Sequence, residues 1–434
     1  MLFDPRTRNG GAARRLAPAF MLAFVLAFIV FPWFGGDRTR KILVGSPSSS
    51  LRVAVYEPTP YHGAYRPNWE FGDILADIHP QAPLNPELLG KAIQNNEYDV
   101  VFINSCDPKF QNRGHGVLDA LNNSTVHEGD FFGIQKMDPE IYAPWAESDR
   151  LDVLTLGSHT GQEVRRTIGR WAEETRSTAW ERVPVLDWAP VFDPPLSRVP
   201  RKVVTGRFDK AAIIGRIQQS SRDYEGVMRE LEQAILADPP AWGYKVEGIP
   251  QRIIPIEDSP FTLHFIGLNE HKVEFPPLLV AEENPVVVVH PKVTNVEYYS
   301  LIRSMDIVLP AFNTDAYYKV RSSASIPAAI MCETPLLASR RLLESYTYLH
   351  SPSYIANPLS TTTVRAIEQL RAGQQPWQAA YGAAPAPTVP AAKAFLSPSR
   401  WWNTGDTFAR YKAALRARNV EIFEGMLHRA TTSK

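Results

Sequence analysis

From residue 51 onward the chain alternates short apolar runs with stretches of helical spacing. LRVAVY (51–56), YDVVFINS (98–105) and LDVLTLGS (151–158) are brief and rich in β-branched residues, which predicts buried strands. Residues 86–96 predict an amphipathic helix before the second run, and TGQEVRRTIGRWAEE (160–174) predicts one after the third. The segment 106–150 carries no clear period. PVLDWAPVFDPPLSRVP (184–200) is Pro-rich and reads as a connection between two domains.

A second alternating series follows. KAAIIG (210–215), FTLHFIG (261–267), NPVVVVHPK (284–292), DIVLPAF (306–312) and TPLLAS (334–339) predict strands. RDYEGVMRELEQAILA (222–237), VEYYSLIRSM (296–305) and SASIPAAIMCE (323–333) predict helices, the first with Val227, Leu231 and Ile235 on one face. Strands alternating with helices imply parallel βαβ units, hence an α/β protein. Ligands of such sheets bind outside the carboxyl ends of the strands, which directs attention to the loops after Gly215, Gly267, His290 and Pro310. Residues 372–399 are rich in Ala, Pro and Gly and read as a crossover, and 406–430 predict a terminal helix within a C-terminal segment 400–434.

The first fifty residues have a different pattern. Residues 16–34 (LAPAFMLAFVLAFIVFPWF) hold no charge, close to the about 20 apolar residues that cross a ~30 Å hydrocarbon core. Arg6, Arg8, Arg14 and Arg15 precede the run, and no small-residue cleavage pattern ends it, so an uncleaved signal-anchor is expected. This gives a cytoplasmic tail (1–15), an anchor (16–34), a stem (35–50), an N-terminal domain (51–190), a linker (191–206) and a second domain (207–371). The expected protein is a single-pass type II membrane protein with its folded part luminal. The overlapping sequons at Asn122 and Asn123 fit that compartment.

The 434 residues are too many for one ordinary core and suit two domains. Lys plus Arg (46) balance Asp plus Glu (46), and no basic stripe stands out, which argues against a nucleic-acid partner. Cys106 and Cys332 are too few for a disulfide scaffold or a metal site and read as small buried hydrophobes. No DxD motif lies in a strand–loop context, and no metal or other cofactor is expected.

Three stretches resemble the C-terminal half of GT-B-fold glycosyltransferases of the glycogen-synthase-like retaining group. They are VLDWAPVFDPP leading into AAIIGRIQQSSRDYEGVMREL, EYYSLIRSMDIVLPAF, and AAIMCETPLLAS. YYKVRSSASIPAAI and ETPLLASRRLLESYTYL are more closely similar to a set of uncharacterised fungal membrane glycosyltransferases. The resemblance implies two Rossmann-like doubly wound domains facing a cleft. It further implies a nucleotide-diphosphate sugar as donor substrate, a glycan, lipid or protein acceptor, and residence in the Golgi or ER. The group's helix carries two glutamates eight residues apart, and the matching positions here are Val320 and Ala328. That departure keeps a second expectation open, a catalytically inactive binding or scaffolding protein.

The candidate donor site follows. Gly215 and Gly267 let backbone approach a diphosphate, while Arg216 and Arg222 would meet its charge as the glycosidic bond breaks. Ser322, Ser323 and Ser325, flanked by Lys319 and Arg321, would supply hydroxyls and an anion site, or an ordinary N-cap cluster. His62 and His159 follow strands of the first domain and are candidate general bases. A lone histidine base favours inversion, whereas the resemblance implies retention.

Overall fold

The computed structural model describes residues 53–56, 100–103, 127–130, 139–189, 191, 208–215, 217–267, 269, 273–291, 293–381 and 405–432. The predicted anchor at 16–34, the helix at 86–96, the sequons and Cys106 lie outside them. No helix among the described residues is long and apolar enough to cross a membrane.

Two parallel sheets form. The first contains β1 (Val53–Tyr56), β2 (Val100–Ile103), β3 (His127–Asp130), β4 (Leu151–Thr155) and β5 (Val185–Asp187), neighbours in that order. β5 lies inside the Pro-rich segment read as a connection. Its three residues, set among prolines, are too few for a period to show. α1 (Pro139–Glu147) and α2 (Ser158–Thr175) flank β4.

The second sheet is built from β6 (Lys210–Ile214), β9 (Thr262–Ile266), β10 (Val287–His290), β11 (Ile307–Val308), β12 (Leu336–Ser339) and β13 (Tyr354–Asn357). Its spatial order is β10-β9-β6-β11-β12-β13 with every pair parallel. Numbered from β6, that is 3-2-1-4-5-6, the dinucleotide-fold order whose direction of winding reverses between the first and fourth strands. An antiparallel ribbon, β7 (Tyr244–Glu247) and β8 (Arg252–Pro255), is inserted before β9.

Parallel strands covered on both faces are apolar throughout, and β6 shows why KAAIIG does not alternate polar with apolar. Ala211 and Ile213 enter one core with Val227 and Leu231 of α3 (Tyr224–Ala237) and Ile367 and Leu370 of α8 (Thr363–Arg371). Ala212 and Ile214 enter the other with Ile302 of α4 (Asn295–Ser304), Ile326 of α6 (Ser325–Met331) and Leu342 of α7 (Arg340–Ser345). A short helix, α5 (Ala316–Lys319), precedes α6, and α9 (Pro376–Tyr381) follows α8.

The terminal helix α10 (Gly405–Thr432) joins both sheets. Phe408, Tyr411 and Leu415 enter the second unit's core, and Lys412 Nζ reaches Glu333 at 2.8 Å. Further along, the Asn419 side chain donates to Ala189 O (2.7 Å) and accepts from Ala189 N (3.2 Å). Arg429 then holds Asp152 of β4 at 2.9 Å.

Candidate functional site

The carboxyl ends of β6, β9 and β10 meet backbone to backbone. Gly215 N donates to Ile266 O (2.9 Å), and Gly267 N donates to His290 O (3.1 Å). A Cβ on Gly267 would stand 1.9 Å from Gly215 O, and both glycines have positive φ, 106° and 154°. Glycine is therefore required here: main chain fills the place of a Gly267 side chain, and Arg222 Nη2 lies 3.4 Å from where a Cβ on Gly215 would stand, beside the point where the winding reverses. Arg216, the next residue after Gly215, lies outside the described residues.

The structure gives Arg222 a different task from the one its position suggests. Its guanidinium is buried, and Nη2 donates to Ile214 O (2.9 Å) and Ser325 Oγ (3.1 Å) while Nη1 donates to Pro310 O. Phe312 lies against it, 5.2 Å from ring centroid to Cζ. Arg222 thus laces the first and fourth strands where they diverge. Its charge is directed at main-chain carbonyls, the groups that strand separation leaves without partners.

The serine cluster is likewise engaged internally. Ser323 Oγ and Ser325 Oγ share a proton at 2.7 Å, and Ser323 N donates to Tyr346 Oη (3.1 Å). Ser322 Oγ donates to Leu156 O of the first unit (2.5 Å). Lys319 is exposed and pairs with Asp315 one turn earlier (2.6 Å). The Arg321 side chain is exposed, and its carbonyl is taken by His159.

His159 stands at the start of α2, at the carboxyl end of β4. Nδ1 lies 2.8 Å from Ser345 O and Nε2 lies 3.0 Å from Arg321 O, both in the second unit. Ser158 Oγ donates to the same Ser345 carbonyl (2.9 Å). Burial pushes the imidazole's pKa down, the two carbonyls pull it back, and the net shift is downward. A neutral ring carries one N–H, so it satisfies one of these carbonyls at a time. Neither ring nitrogen is open to an acceptor hydroxyl in this arrangement. His62 lies outside the described residues.

The sequence marks the loop after His290 but not the pairing of His290 with His264. His264 Nδ1 and His290 Nε2 are 3.0 Å apart, and His264 Nε2 lies 2.9 Å from Thr262 Oγ1. The rings differ by 5° in plane with centroids 5.3 Å apart. That spacing is what two coplanar imidazoles joined edge to edge require, not a face-to-face stack. Period two places Thr262 and His264 on one face of β9, but nothing in the sequence says that β10 lies alongside. Burial, His290 and Lys210 push His264 down to about 3, and burial lowers His290.

The two positions that carry glutamates in the resembling family are occupied differently. Ala328 is buried within α6 in the core, and Val320 ends α5. Glu333, in the place of a small residue, adopts φ 61° and holds Arg303 (2.9 Å) and Lys412 (2.8 Å). It fastens α4 and α10. Among the described residues no group of three or more His, Cys, Asp or Glu could hold a metal ion.

No protein-family model matches the chain, and no curated protein matches it. Solved structures to which it is similar include a UDP-forming trehalose-phosphate synthase from Burkholderia xenovorans. The identity there is 10%, covering 80% of this chain and 77% of that one, with a TM-score of 0.45. A sucrose-phosphate synthase from Thermosynechococcus elongatus gives 14%, 90%, 86% and 0.40. Trehalose-6-phosphate synthase of E. coli, bound with UDP-2-fluoro glucose, gives 10%, 80%, 75% and 0.41. Likenesses this loose decide nothing by themselves, and the fold stands on the strand order and pairing described above.

Proposed function

We propose that the chain is a metal-independent glycosyltransferase that moves a sugar from a nucleotide-diphosphate donor to an acceptor hydroxyl. The observation that carries this reading is the glycine-built edge at Gly215 and Gly267, where main chain meets main chain. It lies beside the switch point of a 3-2-1-4-5-6 sheet, in a unit whose Arg321 and Ser322 bond to residues just after β4 of the other parallel sheet. The donor's diphosphate rests on that edge, Arg216 meets the leaving charge, and the first unit presents the acceptor. With both nitrogens of His159 engaged, His62 is the stronger candidate for the base.

The residues before 50 anchor the protein as a type II membrane protein of the Golgi or ER, with Asn122 or Asn123 glycosylated. A downward gel shift on deglycosylation and resistance of membrane association to alkaline extraction are the expected results.

The test of the activity is thermal unfolding of the protein with UDP and GDP, followed by donor hydrolysis or transfer. A nucleotide present at 100 times its Kd raises stability by about 2.7 kcal/mol. Arg216→Ala should abolish transfer while leaving the fold intact. A non-catalytic binding protein is the second reading, favoured by Val320 and Ala328 standing where the family has glutamates. It predicts nucleotide binding, or none, with unchanged behaviour on Arg216→Ala.

A further inference from the structure

We propose that the direct contacts between the two units form a releasable latch: Ser158, His159 and Ser322 hold the resting molecule shut, and the donor nucleotide is admitted when these contacts part while α10 keeps the units joined. The inference rests on the transferase reading and adds how its site is opened.

The units are joined at two places, and the joints differ in kind. At α10, Phe408, Tyr411 and Leu415 share one core with Ala189 and Val191 of the segment after β5. Asn419 serves both main-chain groups of Ala189, and Arg429 holds buried Asp152. The direct joint is polar instead. Leu156, the one large apolar residue of the loop 156–159, enters neither core of the second unit. Among the described residues this joint carries the His159 ring on that of Tyr346, 4.4 Å between centroids, and four polar contacts.

Those four cannot all be hydrogen bonds at once. A neutral imidazole has one N–H, and His159 faces two carbonyls. Ser158 Oγ already donates to Ser345 O, so the ring proton serves best on Nε2, toward Arg321 O. Nδ1 then faces the Ser345 oxygen lone pair to lone pair, at 2.8 Å. A charged ring would serve both carbonyls. Burial outweighs the pull of those carbonyls and of Asp187 and holds the pKa below the ordinary value, so the ring is neutral at pH 7.5. Parting the units lets water meet the unserved nitrogen, which favours opening.

The latch also sits on the segment that borders the donor edge. Ser322 holds Leu156 O, and Ser323 Oγ lies 2.7 Å from Ser325 Oγ. Ser325 accepts from Arg222 Nη2 at 3.1 Å, and that nitrogen stands 3.4 Å from the place of a Cβ on Gly215. A donor on the edge and an acceptor on the first unit must meet between surfaces that the seam keeps in contact. If open molecules alone bind, apparent affinity is the intrinsic affinity scaled by the open fraction. Weakening the latch therefore tightens binding, whereas weakening a merely structural contact does not.

The test measures association and dissociation of UDP and GDP at pH 7.5 with the full chain and with Ser158→Ala, Ser322→Ala and the two combined. Thermal unfolding of each without ligand shows that it folds. Each single variant deletes one hydrogen bond, so each should bind nucleotide about fivefold more tightly while unfolding at a lower temperature. The gain should lie in association, with dissociation unchanged, and the combined variant should exceed either. Thr334→Ala removes a buried hydroxyl bonded to Ile302 O (2.8 Å) inside the second unit, and should lower the unfolding temperature without altering nucleotide binding. Unchanged or weaker binding in both seam variants, with the wild type binding, overturns the latch and leaves the transferase reading intact. An equal gain in Thr334→Ala assigns the effect to general loosening and overturns it too. UDP bound by the combined variant but not by the wild type supports both readings. Failure of all the proteins to bind either nucleotide overturns the transferase reading and the latch with it.

Discussion

At the scale of single residues, Glu333 shows which of two effects prevails. A left-handed backbone costs a non-glycine residue roughly 1–2 kcal/mol, which Glu333→Gly would relieve. The same change leaves Arg303 and Lys412, whose side chains are 9% and 4% exposed, without their shared carboxylate. Stripping one partner from a buried pair costs about 3–5 kcal/mol. The electrostatic loss is larger, so Glu333→Gly should destabilise by about 2 kcal/mol in urea unfolding. Burial raises the pKa of this carboxyl, but Lys412 and Arg303 outweigh that and leave it lowered. Its stabilisation is therefore complete above the unfolded carboxylate pKa and is lost as pH falls through the lower folded value. Gly267→Ala is the second residue-scale prediction. Its methyl meets Gly215 O, a main-chain atom with no flexible end to move, so a loss of about 1–3 kcal/mol is expected, together with weakened nucleotide binding. Gly267 is marked by the sequence as a point of backbone approach, though not its contact with Gly215 O, and the role of Glu333 was not legible at all. The residue after Cys332 reads as a helix terminator, and only the structure brings the two cations to it.

Among the elements, α10 carries a test of its own. Asn419 is fully buried and satisfies both the N–H and the carbonyl of Ala189. Asn419→Leu should cost about 2–4 kcal/mol, since two buried main-chain groups lose their partners. Faster proteolysis between the two units at native pH would register the same loss. Much at this scale was legible. Apolar runs of KAAIIG type and helices with one apolar face mark β6, β9, β10, β12 and α3 directly. Strand order was not legible, because alternation predicts parallel pairing without saying which strands are neighbours. β13 and α8 went unread for want of flanking signals, and β5 was hidden among prolines. The ribbon β7–β8 also went unread, because four-residue strands on a surface insertion bury too little to set a period.

For the molecule as a whole, acid should loosen the fold. His159, His264 and His290 are all held below the ordinary histidine value, with burial the leading cause in each. Unfolded histidine binds protons below about pH 6.5, where these folded rings still refuse them. Stability is therefore full above that pH and declines as pH falls, for His264 down to about 3. Each such ring contributes at most ~1.4 kcal/mol per pH unit. Urea midpoints measured from pH 7.5 to 5.0 should fall, and the slope should flatten in His264→Phe. That the strands fall into two parallel series was legible from the repeated alternation. The direct bonding between the units was not, since it joins residues more than a hundred positions apart.

Those four contacts have an uneven chemistry. On one side stand the side chains of Ser158, His159 and Ser322. On the other stand only the main-chain oxygens of Leu156, Arg321 and Ser345. An oxygen of the main chain survives any change of side chain. The seam itself therefore asks nothing of the side chains at the three receiving positions: packing still holds Leu156 and Ser345 to their identities, while exposed Arg321 is left to drift and the three giving positions are bound to what they are now.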